Sequence, residues 1–262
     1  MSYLEQTFKS RLPDVGTTIF SRMSALAKQY DAVNLGQGFP DFDCDPAIID
    51  HVTEAMHAGH NQYPLMSGVA ELRRAIAAKI KAIYGHSYDE DKEITVTAGA
   101  TQAIFTAILC SVKPDEEVII LEPAYDSYIP AITLAGGIVK AVPLTIEYDV
   151  NGKVINYSLP IEALSNAISS LTRLIIINTP HNPTGMVWHK EDMLQLQALL
   201  EGRDILVCSD EVYEHIIFDN TGHESIARYP LLAARSFVIS SFGKTFHVTG
   251  WKIGYVCVSR PL

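Results

Sequence analysis

From residue 93 to the end of the chain, short apolar runs rich in β-branched residues alternate with helical stretches. The runs read ITVT, EVIILE, GIVKAVPL, LIIIN, ILVCS, FVISS and GYVCVS, and the helical stretches between them include 101–111, 127–135, 161–170 and 190–200. Strands that are apolar along their whole length are covered on both faces. The pattern therefore predicts an α/β fold, a three-layer α/β/α arrangement with a mostly parallel mixed sheet.

The first 45 residues lack sustained periodicity, and glycines and a proline mark residues 34–44 (NLGQGFPDFDC) as a loop. Asp45 and Pro46 then form the cap and first residue of a predicted helix, and apolar spacing predicts a second helix around residues 72–83. We therefore expect an N-terminal arm and substrate-side segment over residues 1–45 and a large α/β domain over residues 46–262.

Charge and composition restrict the partners of the chain. The 262 residues are 48% hydrophobic, and the formal net charge of -10 argues against nucleic acid or an anionic membrane as a partner. No apolar run approaches the roughly 20 residues of a membrane span, and the start resembles no signal peptide, so we expect a cytoplasmic protein. The four cysteines and nine histidines show no CxxC, HxH or HxxxH spacing, so we expect no metal site.

Small and polar residues follow three of these strands, ITVT, EVIILE and LIIIN, and the carboxyl ends of strands converge on one crevice in such folds. Gly99, Ala100 and Thr101 start a helix, whose free N–H groups suit a phosphate, although they also fit an ordinary helix start. Tyr125 fits either an aromatic plate for a flat ring or turn packing. Asn182, between two prolines, fits either a side-chain donor or a rigid polar turn.

Ionisable residues follow the later strands. Asp210 ends ILVCS, where a buried carboxylate is costly unless it meets a cation or a strong donor, although it could also cap a helix; Tyr213 lies three residues further on. We expect Lys244 to lie in a glycine-flanked loop after FVISS, with Ser241 before it and Lys252 after it. Either lysine taken alone could be a surface charge, and the segment lacks the first glycine of a P-loop.

Together these residues match the requirements of pyridoxal 5'-phosphate. That cofactor needs an amine for a Schiff base, an anion near its ring nitrogen, an aromatic plate, donors for its phenolic oxygen and anchors for its phosphate.

Three motifs carry a resemblance to a known family. NPTG at 182–185, SDEVY at 209–213 and SSFGKTFHVTGWKIG at 240–254 resemble the class I aminotransferases of the class I/II group, pyridoxal-phosphate-dependent enzymes of fold type I. The opening LPDVGTTIFSRMSALA with LGQGFPDFD is similar to the methionine and kynurenine aminotransferase branch. The similarity runs from about residue 12 to the end of the sequence.

The resemblance implies that Lys244 is the Schiff-base lysine and moves a proton, and that Asp210 pairs with the pyridinium nitrogen. It implies that Asn182 and Tyr213 bind the phenolic oxygen and that Tyr125 stacks on the ring. The phosphate would be held at the helix start after Gly99, by Ala100, Thr101, Ser241 and Lys252.

The same resemblance implies a homodimer in which Tyr63 reaches the phosphate of the neighbouring subunit. It also implies that Gly36, Tyr125 and Asn182 contact the substrate. Chains of this family continue into a small C-terminal domain that carries the arginine for the substrate carboxylate. We therefore expect that this sequence is part of a longer chain, with that arginine beyond residue 262.

The resemblance implies an aminotransferase with ping-pong kinetics. The donor would be an apolar, sulfur-containing or aromatic L-amino acid, such as methionine or kynurenine, or glutamine, and the acceptor a 2-oxo acid. Two alternatives stay open on the sequence alone: a cysteine-conjugate β-lyase of the same fold, and a cofactor-sensing regulatory module without catalytic activity.

Overall fold

The computed structural model describes residues 9–13, 15–38 and 40–260 of the chain. The helices are α1 (Ile19–Gln29), α2 (Pro46–His57), α3 (Ala70–Tyr84), α4 (Ala100–Ser111), α5 (Tyr128–Ala135), α6 (Ile161–Ala167), α7 (Lys190–Leu199), α8 (Pro230–Ala233) and α9 (Phe242–Thr245). The strands are β1 (Ile94–Thr97), β2 (Glu117–Glu122), β3 (Ile138–Pro143), β4 (Thr145–Tyr148), β5 (Val154–Ser158), β6 (Thr172–Asn178), β7 (Leu206–Asp210), β8 (Ser236–Ser241) and β9 (Gly254–Val258). Two 3-10 turns lie at Ile226–Arg228 and Thr249–Trp251.

Seven strands form the main sheet in the order β1-β9-β8-β7-β6-β2-β3. The pairs β3-β2, β2-β6, β6-β7 and β7-β8 are parallel, whereas β9 runs antiparallel to both β8 and β1. This mixed, mostly parallel sheet agrees with the fold predicted from the alternating pattern. The carboxyl ends of β7 and β8 lie side by side, which is the arrangement that places ligands at one edge of such a sheet.

Side chains of the central strands alternate between two cores, one on each face of the sheet. In β2, Val118 and Ile120 pack against α4 and α5, while Ile119 and Leu121 pack on the opposite face. The α4/α5 face includes Ile104, Ile108 and Ile132, and the opposite face, which we call the α3/α7 face, includes Ile76, Ile80, Met193 and Leu196. Burial on both faces explains why these strands are apolar throughout.

The structure corrects two expectations. The segment before residue 45 is not without periodicity: Thr18 accepts a hydrogen bond from the N–H of Ser21 and caps the helix α1, whose apolar residues include Ile19, Met23 and Leu26. Their spacing is that of an amphipathic helix, but all residues of α1 remain outside the buried core. Lys244 lies within the one-turn helix α9 rather than in a loop.

The predicted division into two segments remains a prediction. The boundary between residues 45 and 46 divides the N-terminal arm from the large domain in the sequence, and residues 1–8 and 14 of that arm, with Phe39 of its loop, lie outside the described residues. Among the helices that the structure describes, none is long and apolar enough to span a membrane.

Candidate active site

The candidate site lies at the carboxyl ends of β7 and β8, where alternation decides which face each side chain occupies. Asp210 ends β7 and Ser241 ends β8. Their alternate neighbours Cys208 and Ile239 belong to the α4/α5 core, so Asp210 and Ser241 lie on that face of the sheet. The strand register pairs Ser241 with Gly254, the first residue of β9.

Asp210 is a buried carboxylate with few compensating partners. Its side chain is 4% exposed, Oδ2 accepts a 2.6 Å hydrogen bond from the Tyr128 hydroxyl, and Oδ1 accepts a 3.4 Å bond from the backbone N–H of Val212. Within the described ranges, no lysine, arginine or histidine forms an ion pair with it. Burial therefore raises the pKa of Asp210 to about 6, although the Tyr128 hydrogen bond lowers it.

Lys244 provides an amine beside this carboxylate. Burial lowers the pKa of Lys244; the charge of Asp210 acts against this effect, and the charge of Lys252 adds to it. Its Nζ lies 5.4 Å from the centre of the Tyr213 ring. Gly243 allows this position, because a Cβ at that residue would lie 3.0 Å from the Cα of Thr249. The lysine thus lies in a partly desolvated place, where loss of its proton, which gives the nucleophilic amine, costs less than in water.

The start of α4 lies at the same edge of the sheet. Gly99 has a φ of 79° and precedes α4 without a capping side chain, so the first N–H groups of the helix keep free hydrogen-bonding capacity. A Cβ on Gly254 would lie 2.6 Å from the N atom of Ala100, so only glycine lets β9 pass this close to the helix start. The Lys252 side chain reaches the same point, with Nζ 3.7 Å from a Cβ position on Gly99.

A lysine next to a helix N-terminus places two positive features together, which is unfavourable unless an anion lies between them. The grouping of Lys252 with the start of α4 is therefore an anion-binding arrangement. Two predicted residues lie at this point. Ala100 is the first residue of α4, and Ser241 pairs with Gly254, which passes close to that helix start. Thr101 is the second residue of α4.

Asn182 is held by the preceding strand. Asn178, the last residue of β6, accepts a 2.6 Å bond from the backbone N–H of Asn182 and donates a 2.8 Å bond to the Asp210 carbonyl. The turn that contains Asn182 is thereby attached to the end of β7. Asn182 and Tyr213 both line a cavity of about 500 Å³, whose wall also includes the apolar residues Val187, Ile217 and Phe218.

The remaining predicted residues lie in different surroundings. The Tyr125 ring lies edge-on to that of Tyr128, with centroids 5.7 Å apart, so it stands next to the hydrogen-bond partner of Asp210. Tyr63 is 100% exposed in this single chain. Gly36 lies in an exposed turn, and its N–H donates to the Asn34 side chain. The structure does not bring Tyr63 or Gly36 into contact with the Asp210 crevice.

Sequence reasoning missed two residues of this site. Tyr128 donates to Asp210 although 82 positions separate them in the sequence, and Asn178 joins the ends of β6 and β7. The signal for Asn178 was present, because it is the one amide at the end of the apolar run LIIIN. Tyr128 carried no comparable signal, since a tyrosine that starts a helix is most often read as packing.

These groups fit pyridoxal phosphate. Asp210 is a buried carboxylate that forms no ion pair with the described residues, the start of α4 and Lys252 form an anion-binding arrangement, and Lys244, whose charge acts on Asp210, has a lowered pKa. A group with a basic ring nitrogen and a phosphate would compensate both ends. In the described ranges, no three His, Cys, Asp or Glu side chains form a cluster that could hold a metal ion.

Comparisons with known proteins all point to the same family. The sequence profile of the family described as aminotransferase class I and II matches residues 30–262. The chain is 46% identical to methionine aminotransferase from Escherichia coli over 254 residues, and 44% identical to a probable N-succinyldiaminopimelate aminotransferase from Mycobacterium tuberculosis over 248 residues. It is 36% identical to a kynurenine–oxoglutarate transaminase from Dictyostelium discoideum.

The solved structures of the first two proteins superpose with TM-scores of 0.89 and 0.90, and each comparison covers 97% of this chain. The chain spans 64%, 61% and 60% of the lengths of the three sequence relatives, while these matches cover 97%, 95% and 95% of the chain itself. The fold prediction is thus confirmed by solved structures. Since class I and II aminotransferases depend on pyridoxal phosphate, the cofactor prediction is confirmed as well. With a profile match over most of its length and relatives of this identity, the chain belongs to the aminotransferases of class I and II.

Proposed function

We propose that this protein is a pyridoxal-phosphate-dependent aminotransferase that moves the amino group of an apolar, sulfur-containing or aromatic L-amino acid to a 2-oxo acid by a ping-pong mechanism. The observation that carries the proposal is the buried carboxylate of Asp210, which forms no ion pair within the described ranges and is close enough to Lys244 for each charge to shift the pKa of the other group. When bound, the cofactor supplies a carbonyl carbon that takes up an amino group and a pyridine ring that accepts electrons from the substrate Cα.

Lys244 has two tasks in this mechanism. Its lowered pKa makes the neutral amine easier to reach than in a free lysine, and that amine could attach to a carbonyl carbon and, once displaced by the incoming amino acid, accept the proton from the substrate Cα. The same Nζ would then donate that proton to the carbon of the cofactor that had carried the carbonyl group. One buried amine thus serves as both the attachment point and the acid–base group.

Asp210 supplies the charge that makes proton removal from Cα feasible. Above about pH 6 its carboxylate is ionised, and it would then stabilise a proton on the ring nitrogen of the bound cofactor. The Tyr128 hydroxyl fixes the orientation of the carboxylate, because it donates to Oδ2. The pairing is preorganised, since Asp210 is buried before any ligand binds.

The other predicted residues position the ligand. The start of α4, with Lys252 and Ser241, would hold the phosphate; Lys252 would act there as a point charge rather than as the bidentate fork that an arginine provides. Asn182 and Tyr213 would donate to the phenolic oxygen, and Tyr125 would stack on the ring. Gly36, Tyr125 and Asn182 would face the substrate.

Two features support the substrate class and the dimer. The apolar residues Val187, Ile217 and Phe218 line the cavity next to Asn182 and Tyr213, which favours an apolar donor side chain. Relatives act, by their names, on methionine, kynurenine and N-succinyldiaminopimelate. The full exposure of Tyr63 in one chain fits its proposed contribution to the phosphate site of a second subunit in a homodimer. The cytoplasmic location predicted from the sequence stays a prediction.

The test is a panel of amino donors combined with several 2-oxo acid acceptors. We expect transfer from methionine, aromatic amino acids, glutamine or kynurenine, with parallel lines in double-reciprocal plots, and we expect Lys244→Ala to abolish it. Strict selectivity for aspartate would refute the donor class. Release of ammonia and pyruvate from a cysteine conjugate, without transfer to an acceptor, would make the protein a β-lyase.

A further inference from the structure

Glu214 is a second buried carboxylate close to the site, on the α3/α7 face of the sheet. Its side chain is 2% exposed, and Oε1 lies 2.5 Å from the Nζ of Lys79 and accepts a 2.5 Å hydrogen bond from the Ser240 hydroxyl. The Tyr84 hydroxyl donates to Oε2, and the Tyr255 hydroxyl lies 3.4 Å from Oε1. We call these five residues, Lys79, Tyr84, Glu214, Ser240 and Tyr255, the Glu214 cluster.

The cluster is well compensated as an electrostatic unit. Burial would raise the pKa of Glu214, but the charge of Lys79 and the donated hydrogen bonds outweigh burial and lower it. Lys79 also donates a 3.0 Å bond to the Tyr255 hydroxyl. The carboxylate therefore stays ionised and bound to α3, β8 and β9 at once, which are elements far apart in the sequence.

Each of two cluster residues is the chain neighbour of a residue proposed to bind the cofactor. Glu214 directly follows Tyr213, and Ser240 directly precedes Ser241. Because successive side chains of a strand point to opposite faces, Ser240 faces the cluster when Ser241 faces the crevice. The hydrogen bond between Ser240 and Glu214 thus ties together, from behind the sheet, the two segments that carry Ser241 and Tyr213.

On the basis of the proposed function, we propose that Glu214 is a positioning residue for the cofactor: through Ser240 and Lys79 it fixes the backbone from which Tyr213 and Ser241 reach the crevice. It does not contact the crevice itself. The Lys79 ion pair anchors the turn after β7 to α3, and the Ser240 bond sets the distance between that turn and the end of β8. Both the phenolic-oxygen end and the phosphate end of the site depend on this spacing.

The chain contains a matched control for this role. Glu117, at the amino end of β2, is 6% exposed, forms a 3.2 Å ion pair with Lys140, and accepts hydrogen bonds from the hydroxyls of Ser169 and Thr172. Its partners are thus of the same kinds as those of Glu214. It lies at the opposite end of the parallel strands, so its loss affects the stability of the fold but not the crevice.

The experiment compares Glu214→Gln with Glu117→Gln in the protein loaded with pyridoxal phosphate. The readouts are the dissociation constant of the cofactor, from its visible absorbance during titration, and the thermal midpoint of the cofactor-free protein. We expect both variants to lose thermal stability, but only Glu214→Gln to weaken cofactor binding, by about tenfold or more, as when a supporting partner of a binding residue is lost.

A second variant guards against failure of Glu214→Gln to fold. Ser240→Ala removes only the link to β8 and keeps the ion pair with Lys79, and we expect it to weaken cofactor binding several-fold. Normal binding in both Glu214→Gln and Ser240→Ala, or equal weakening in Glu117→Gln, would overturn the positioning role. Absence of cofactor absorbance in the unaltered protein would instead overturn the proposed function, and the positioning role with it.

Discussion

Asp210 and Glu214 lie four residues apart on one segment, are almost equally buried, and differ in what compensates their charge. Glu214 has a lysine and three hydroxyl groups around it, and its pKa is lowered. Asp210 has one hydroxyl and one distant N–H, and burial raises its pKa to about 6. Burial alone therefore does not decide the state of a carboxylate; its partners do.

We propose that this difference separates a structural carboxylate, Glu214, from a functional one, Asp210. The incomplete compensation of the buried Asp210 is a free-energy cost that a protonated ring nitrogen of bound pyridoxal phosphate would remove. The completed cluster around Glu214 holds the same segment in place from the other face. We therefore assign positioning to the fully compensated Glu214 and chemistry to the incompletely compensated Asp210.

The strongest test of this division is the activity of Asp210→Asn compared with Glu214→Gln. We expect Asp210→Asn to lower kcat by about 10²–10³, since it removes the charge opposite the ring nitrogen. Glu214→Gln should act mainly by weakening cofactor binding, and its kcat with saturating pyridoxal phosphate should fall much less. Steady-state kinetics at saturating cofactor measure the two kcat values, and equal losses of kcat in both variants would contradict the different roles of Asp210 and Glu214.

The same two variants should change stability in opposite directions. In the cofactor-free protein at pH 7.5, Asp210→Asn removes an unfavourable buried charge and should raise the free energy of unfolding, by up to about 3 kcal/mol for a pKa raised from 3.8 to about 6. Glu214→Gln should lower it, because it breaks the pair with Lys79. Urea unfolding of both variants measures the difference, and destabilisation by Asp210→Asn would contradict it.

Asp210 and Glu214 should also make the free energy of unfolding depend on pH in opposite directions. Because the pKa of Asp210 is higher in the folded chain, its contribution to stability is present below pH 4 and is lost as the pH rises towards 6. Glu214 has a lowered pKa, so its contribution is present above pH 4.5 and is lost under more acidic conditions. The advantage of Asp210→Asn in unfolding free energy should therefore disappear when the cofactor-free protein is measured near pH 4.

The smallest effect concerns the one strong donor to Asp210. Tyr128→Phe removes the hydrogen bond that favours the ionised carboxylate, so the pKa of Asp210 should rise further. We expect the acid limb of the kcat/KM profile to move up by about one to two pH units. Tyr125→Phe is the control, because it keeps a ring beside Tyr128 and leaves the partners of Asp210 in place. An acid limb unchanged in Tyr128→Phe would show that this hydroxyl does not tune the carboxylate.

Local patterns predicted the parts of this molecule that depend on local order. The apolar runs gave the central strands, and their ends gave Asp210, Ser241 and Lys244. The antiparallel direction of β9 was not predicted, because the apolar pattern of GYVCVS is the same for a parallel and an antiparallel strand. The close approach of β9 to α4 becomes clear only in the structure, where a Cβ on Gly254 would lie 2.6 Å from the N atom of Ala100. The hairpin of β4 and β5 was missed as well.

Contacts between distant segments explain the remaining gaps. Tyr128 meets Asp210, and Lys79 and Tyr84 meet Glu214, only because the sheet brings α5 and α3 to the same segment from opposite faces. Alternation along β8 could have assigned Ser240 to the face opposite Ser241, but it could not have identified Glu214 as the hydrogen-bond partner of Ser240. The motif SDEVY therefore indicated Asp210 as a candidate site residue but gave no indication of the role that we propose for the adjacent residue Glu214.

Reductive trapping of the cofactor tests most directly whether Lys244 forms the Schiff base with pyridoxal phosphate. Pyridoxal phosphate is added to the protein, the link between lysine and cofactor is reduced with borohydride to a stable secondary amine, and the modified residue is located by peptide mass spectrometry. We expect modification of Lys244, with none at Lys252, and loss of the label in Lys244→Ala. Stoichiometric labelling of another lysine, or an unlabelled Lys244, would contradict this expectation.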